Sequence, residues 1–386
     1  MSVKGKRALI AAWLPRIVQI IIYAIPAIVT ILFYAFRSDP SAMDWAATRI
    51  SAPIRGILGL INSVYPFSLM EFLCAVAGVW LIYYIIRTIV VTVRTREKLK
   101  TLSRRLLTLA VAVLYVWCLF CWLWNSGYHA PGFAEKNGLK GGGGRVEDLT
   151  AVTSLFADKA NEFAPLVPRD GDYHFTMDYR DFIDDSTFIY NNLSKEYPSL
   201  SGRLFKPKPM AFSWLMSRTG YTGIYFALTG ESNINTRAPA CLLPATMAHE
   251  LAHQRGVVAE DEANFVGILA CVTSGYTVYE YSGYLMGLIY LRNALFTADY
   301  DAWASISDNL CPEVKKDLQD NYDYWLSQKT VDTGVDFFDN ILTTVTGTVS
   351  DAVETIYDGY LKTQNQELGI MSYGACVNLL VEYYCS

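Results

Sequence analysis

Three long runs without a charged residue limit what the first third of this chain can become. Ile17–Phe36 holds twenty uncharged residues and Leu106–Trp124 holds nineteen; between them, Phe72–Ile86 continues past Arg87 through Thr88–Val93. A run of about 20 apolar residues crosses a hydrocarbon core of roughly 30 Å as a helix. In lipid, a helix satisfies its own backbone donors and acceptors, which an open strand cannot do. The runs account for a hydrophobic content of 52% over the 386 residues. They predict an N-terminal three-helix transmembrane anchor over residues 1–126, with spans at about 17–36, 69–93 and 106–124. The first run has too long an apolar core for a signal peptide, and no convincing small-residue cleavage site follows it, so it reads as a retained anchor.

Basic residues orient the spans. Lys4, Lys6, Arg7 and Arg16 precede the first, and Arg94, Arg96, Lys98, Lys100, Arg104 and Arg105 crowd the short loop between the second and third. Lys and Arg collect on the cytoplasmic side. The expectation is a multi-pass plasma-membrane protein with a cytoplasmic N-terminus, and everything from Asn125 onward lies outside the cytoplasm. Loop 37–67 is external on this reading. Its Trp45, Ile50, Ile54, Ile57, Leu58 and Ile61 suit either an amphipathic helix on the bilayer or packing against the outer domain. Glu71 and Arg87, at or inside the second span, read as snorkelling charges.

Beyond the spans, Lys140 and Arg145 bracket four consecutive glycines, which hold regular structure only at a cost. Residues 127–145 are therefore expected to be a linker, and 146–386 a domain with a single core. Helices are predicted over Arg145–Phe163, Tyr179–Ser194, Tyr276–Leu295, Pro312–Ser327, Asp336–Leu361 and Gly374–Tyr384. Tyr276–Leu295 is apolar, but Glu280, Arg292 and its glycines mark it as buried rather than a fourth span. Gly223–Leu228 is β-prone, Gly230–Asn233 is turn-like, and Ile234–Thr236 is placed to continue a paired strand. An edge strand there would bind an extended peptide by strand addition, although an ordinary hairpin fits equally well.

Eight cysteines are present; Cys74, Cys118 and Cys121 fall in the spans, and the five outer ones permit at most two bridges. The net charge of −5, without a basic outer patch, argues against nucleic acid as a partner.

The chemistry sits in one short stretch. Residues 249–253 read His-Glu-Leu-Ala-His, and the chain holds only four histidines. On a helix, His249 and His253 project from one face, one turn apart, and can ligate a single Zn²⁺, while Glu250 can take a proton from a water that the metal acidifies. Pro244 suits the first turn of such a helix and Gly256 its left-handed stop. A second helix beginning near Val258 can return a third ligand from Glu260-Asp261-Glu262-Ala263-Asn264. Glu260 and Glu262 differ in direction by about 200° on a helix, so only one of them can face the metal. Glu260 is preferred, with Asn264 one turn later to support a ligand, and Glu262 is the alternative.

The run Leu243-Pro244 through His249–Gly256 and on to Glu260–Phe265 resembles a bacterial membrane-anchored family of unknown function. Lys206–Pro209, Thr229–Asn233 and Ser372–Gly374 share in the resemblance, which covers most of the chain. Glu260 to Asn264 also resembles the Glu-x-x-Ala-Asp/Asn pattern of gluzincin metallopeptidases. The step from His253 to Glu260 is shorter than in those enzymes, and Asn264 replaces their commoner Asp. The resemblance implies a mostly α chain: the three-helix anchor plus an α-rich α+β zincin-like domain with a short sheet and an edge strand. It implies a zinc metallopeptidase of the HExxH type. Zn²⁺ would be the cofactor on His249, His253 and Glu260, Glu250 the general base, and the partners a protein or peptide substrate and the lipid bilayer. The competing expectation is a membrane sensor or adaptor with the same fold and a structural, non-catalytic metal site.

Overall fold

A computed structural model of the chain describes residues 3–142, 144–328, 355 and 373–385. Apart from Thr355, the helix expected over Asp336–Leu361 lies outside the described residues, as does Ser372. The chain is mostly helical and forms two compact units, Met1–Ile54 with Phe72–Ala130 and Arg55–Glu71 with Pro131–Ser386.

The first unit is built on the apolar runs. Helix α1 spans Val3–Phe36, α2 Pro40–Ala46, α3 Ala52–Asn62, α4 Leu69–Arg94 and α5 Lys98–Leu123, with α3 from Arg55 onward and α4 up to Glu71 belonging to the second unit; a π-helical turn, Ala47–Ser51, joins α2 to α3. Val18–Phe36, α4 and α5 are long and apolar enough to cross a membrane. Their side chains explain why lipid suits them: only 6% of the most apolar window of α4 is buried within the protein. Polar groups on these helices find partners along the bundle. The Tyr115 hydroxyl donates to the Ile22 carbonyl at 2.9 Å, Trp122 Nε1 to the Val29 carbonyl at 3.0 Å, and the Tyr84 hydroxyl to the Arg105 carbonyl at 2.9 Å. Asp39 caps α2 by accepting from the amides of Ser41 and Ala42.

The second unit folds around a helical core. Its helices are α6 (Phe133–Lys136), α7 (Val146–Phe163), α8 (Tyr179–Phe182), α9 (Leu193–Glu196), α10 (Ser213–Arg218), α11 (Leu243–Gln254), α12 (Glu260–Val272), α13 (Thr277–Ala298), α14 (Tyr300–Asp308), α15 (Pro312–Ser327) and α16 (Tyr373–Cys385). Tyr279, Tyr281, Leu285, Leu288 and Leu291 of α13 are fully buried in this core, so the long apolar helix is a core element. A three-stranded sheet lies beside α11. Strand β1 (Lys208–Pro209) runs parallel to β3 (Glu231–Ile234), and β2 (Gly223–Phe226) runs antiparallel to it, in the order β1-β3-β2. The β2–β3 register pairs Gly223 with Ile234 and Phe226 with Glu231.

Three expectations differ from what forms. Tyr179–Ser194 is not one helix: α8, a 3-10 turn at Asp185–Thr187 and α9 replace it. Asp178 and Ser186 bond locally to the backbone, which favours caps and turns over a continuous helix. Glu231–Asn233, turn-like in sequence, lies in the central strand, because its polar side chains are satisfied inside the protein. Glu231 receives Lys208 Nζ at 2.5 Å and the amides of Leu69 and Met70 at 3.0 Å each. The glycine-rich stretch expected as the linker falls within the second unit, where the Lys140 and Gly141 amides donate to the Glu382 carboxylate. The cysteines all carry free thiols.

Candidate metal centre

Helix α11 begins with Pro244 in its first turn and ends at Gly256, whose φ of 88° takes the left-handed stop that favours glycine. The chain reverses through Val257–Ala259 and re-enters helix at Glu260, so α12 returns across the His face of α11. The helices approach closely at Gly267, where a Cβ would stand 2.9 Å from the His249 amide nitrogen.

This turn brings three donors together. Glu260 Oε2 lies 3.2 Å from His249 Nε2 and 3.6 Å from His253 Nε2. The imidazoles stand nearly perpendicular, at 85°, with centroids 4.7 Å apart. One donor atom from each of the three residues falls within 4.8 Å of the others. A tetrahedral Zn²⁺ with bonds of about 2.0–2.1 Å would set its ligand atoms about 3.3 Å apart, close to the two histidine–carboxylate distances.

The tautomer gives a second test of fit. His253 Nδ1 lies 2.7 Å from the Val257 carbonyl, an acceptor only, so Nδ1 carries the proton. In the neutral ring Nε2 then turns a lone pair towards the Glu260 carboxylate, which is attractive only if a cation or a second proton lies between them. The electrostatics agree. Burial alone would depress the His253 imidazolium, yet the charge and hydrogen bond of Glu260 outweigh it and raise the pKa to about 9. Burial would raise Glu260, but the two imidazoles hold it well below the usual carboxylate range. The cluster therefore demands positive charge, and a divalent ion supplies it without protonating a ligand.

Glu250 sits beside the donors on α11 and is buried, with Oε2 lacking a hydrogen-bond partner among the described residues. Burial, helped by the Glu260 charge and opposed by the two histidines, raises its pKa to about 7. That is the range in which a carboxylate exchanges protons near neutral pH. Its backbone carbonyl accepts from Ser232 Oγ at 2.8 Å, which ties α11 to β3. Gln254 strengthens the tie, donating to Ser232 Oγ at 3.0 Å and exchanging hydrogen bonds with the Phe205 backbone.

Of the two carboxylates weighed in the sequence, Glu260 lies with the histidines and Glu262 does not. Glu262 points away from the donors and accepts from the Phe133 amide at 2.7 Å and the Ala134 amide at 2.9 Å, at the start of α6. Asn264 also departs from expectation: its Oδ1 accepts from the Tyr290 hydroxyl at 3.3 Å, which joins α12 to α13. The Val257 carbonyl, Ser232 and Gly223 are participants that the sequence did not reveal. A lone glycine opening a strand-like run was the available signal for Gly223; the role of a backbone carbonyl leaves no side-chain signature.

Fold and site thus define a mostly helical protein with apolar N-terminal helices and a half-buried His–His–Glu donor cluster. The chain belongs to the family described as "Protein of unknown function (DUF3810)", whose model matches residues 47–381. No curated protein and no solved structure matches it.

Proposed function

We propose that this protein is a membrane-anchored, zinc-dependent metallopeptidase with a zincin-like, gluzincin-like catalytic unit on the extracytoplasmic side of the plasma membrane. One observation carries the reading. Three converging donors share their helix pair with a buried carboxylate, Glu250, that has an unbonded oxygen and a pKa near 7. A structural metal site has no use for that fourth group.

His249, His253 and Glu260 would hold Zn²⁺, which when bound polarises a scissile carbonyl and acidifies a water. Glu250 accepts the proton of the attacking water and passes it to the departing amine. Strand β2 is an edge strand and begins against Glu250, so an extended peptide can add to it and lie across the donors. The basic segments before the first span and between the second and third support the orientation.

The test is hydrolysis of a mixed peptide pool by the zinc-loaded full chain. Wild type is expected to cut, and Glu250→Gln to keep its zinc and cut nothing. Zinc retained by a wild type that cleaves no peptide at any pH tested would favour a sensor or adaptor with a structural metal site.

A further inference from the structure

Helix α3 is amphipathic with its polar side turned inward. Within the second unit, Arg55, Gly59 and Asn62 are buried, and their spacing of four and three residues places them on one face. Each meets that unit closely. Asn62 donates through Nδ2 to the Thr229 carbonyl and accepts from Lys208 Nζ at 2.7 Å through its own carbonyl. Gly59 packs on the Phe205 ring and the Gly230 carbonyl, and the Arg55 guanidinium faces Gly256 at the end of the His-bearing helix.

Among the described residues, the opposite face is apolar and exposed. Ile57 is 58% exposed, Leu60 and Ile61 are exposed beside it, and the following turn adds Val64 at 74% together with Tyr65 and Phe67. At about 100° per residue, Ile57, Leu60 and Ile61 point directly away from Arg55, Gly59 and Asn62. A contiguous apolar surface of this kind marks an interaction site.

The chain itself indicates what covers it. Seven residues after Asn62 begins α4, which is long and apolar enough to cross a membrane. Its first residues are held on the second unit: Glu231 accepts from the Leu69 and Met70 amides, and Glu71 accepts from the Ala211 and Phe212 amides at 2.8 Å each. The same helix continues from Glu71 into the candidate span, so the chain of this unit runs directly into it. An amphipathic helix seven residues of chain from a candidate span, followed by Tyr65 and Phe67, has the composition that enters the boundary between headgroups and acyl chains.

We infer that the outward face of α3 and residues 63–67 form a bilayer-docking surface. Docking also sets the height of the donor cluster. Glu231, which grips the start of α4, pairs in the sheet with Phe226. Gly223, against Glu250, lies three residues along the same strand, a distance of about 10 Å. On the peptidase reading above, on which this consequence rests, the substrate class is the membrane-proximal stretch of an anchored polypeptide.

The full chain in phospholipid nanodiscs tests both parts. With a photoreactive benzophenone amino acid in place of Ile57 or Ile61, illumination is expected to add the mass of a phospholipid. Adducts to a second copy of the chain or to another protein, or no lipid adduct, would overturn the docking surface. The consequence is read with one peptide presented free or on a short lipid tether. Ile57→Lys combined with Ile61→Lys is expected to slow cleavage of the tethered form at least tenfold while leaving the free form unchanged; equal effects on both forms, or none, would overturn it. A wild type that cuts neither form would refute the peptidase reading, and the lipid adducts would still decide docking.

Discussion

Gly223 and Glu250 compete for one small space: a Cβ on residue 223 would stand 2.5 Å from Oε1 of Glu250. The first residue of the edge strand therefore fixes where the carboxylate lies. Gly223→Ala is expected to displace that carboxylate, and a displacement of about 1 Å can cost roughly 100-fold in rate. Zinc content should stay at the wild-type level, because Gly223 supplies no ligand. Peptide hydrolysis and metal analysis on the same preparation check this.

The two glutamates of α12 should separate cleanly. Glu260→Gln removes an anionic donor from the cluster and is expected to lose zinc. Glu262→Ala should retain zinc but destabilise the fold, since the buried amide of Phe133 and the half-buried amide of Ala134 lose their acceptor. Each unsatisfied donor costs about 1–3 kcal/mol. Chemical denaturation and zinc titration of both variants distinguish the outcomes.

The metal-free protein should lose stability as pH rises. Glu250 is raised from 4.5 to about 7, so its contribution is complete below pH 4.5 and is lost as pH climbs through 7. His253 is raised from 6.5 to about 9, so its contribution is complete below pH 6.5 and is lost through 9. Glu260 is depressed, and its contribution is present above 4.5 and lost on the acid side. The Tm of the metal-free chain should therefore peak at mildly acidic pH and fall towards pH 9. Bound zinc should raise the Tm most at the alkaline end, where it replaces the proton. Thermal scans with and without zinc across this range test the sign.

Gly256 has a φ of 88° and lies directly before the carbonyl that fixes His253. Gly256→Ala forces an L side chain into the left-handed region at a cost of order 1 kcal/mol. Disturbing the hydrogen bond that orients a ligand typically weakens metal binding at least tenfold. Competition with a chelator of known affinity measures that loss.

The convergence of the histidines was legible in sequence because these candidate ligands follow helix arithmetic. His249 and His253 are one turn apart, and Pro244 and Gly256 bound their helix. The three apolar runs were equally plain, since length and lack of charge suffice to identify a candidate span. What stayed hidden depends on tertiary contacts. Glu260 could be preferred over Glu262 by direction, but the commitment of Glu262 to the Phe133 and Ala134 amides joins residues 128 or more positions apart. Glu231–Asn233 looked like a turn because no local pattern announces that Lys208 and the start of α4 will satisfy Glu231. The inward polar face of α3 was undecided for the same reason: Arg55 and Asn62 are polar in sequence, and only their partners show which way the helix faces.

The proposed function requires one Zn²⁺ held by His249, His253 and Glu260. X-ray absorption at the zinc edge on the full chain, with zinc stoichiometry measured on the same sample, tests it most directly. One zinc per chain is expected, bound by two imidazole nitrogens with the remaining ligands oxygen, with loss of that signal in Glu260→Gln but not in Glu262→Gln. A chain that takes up no zinc, or holds it through thiolate sulfur, would contradict it.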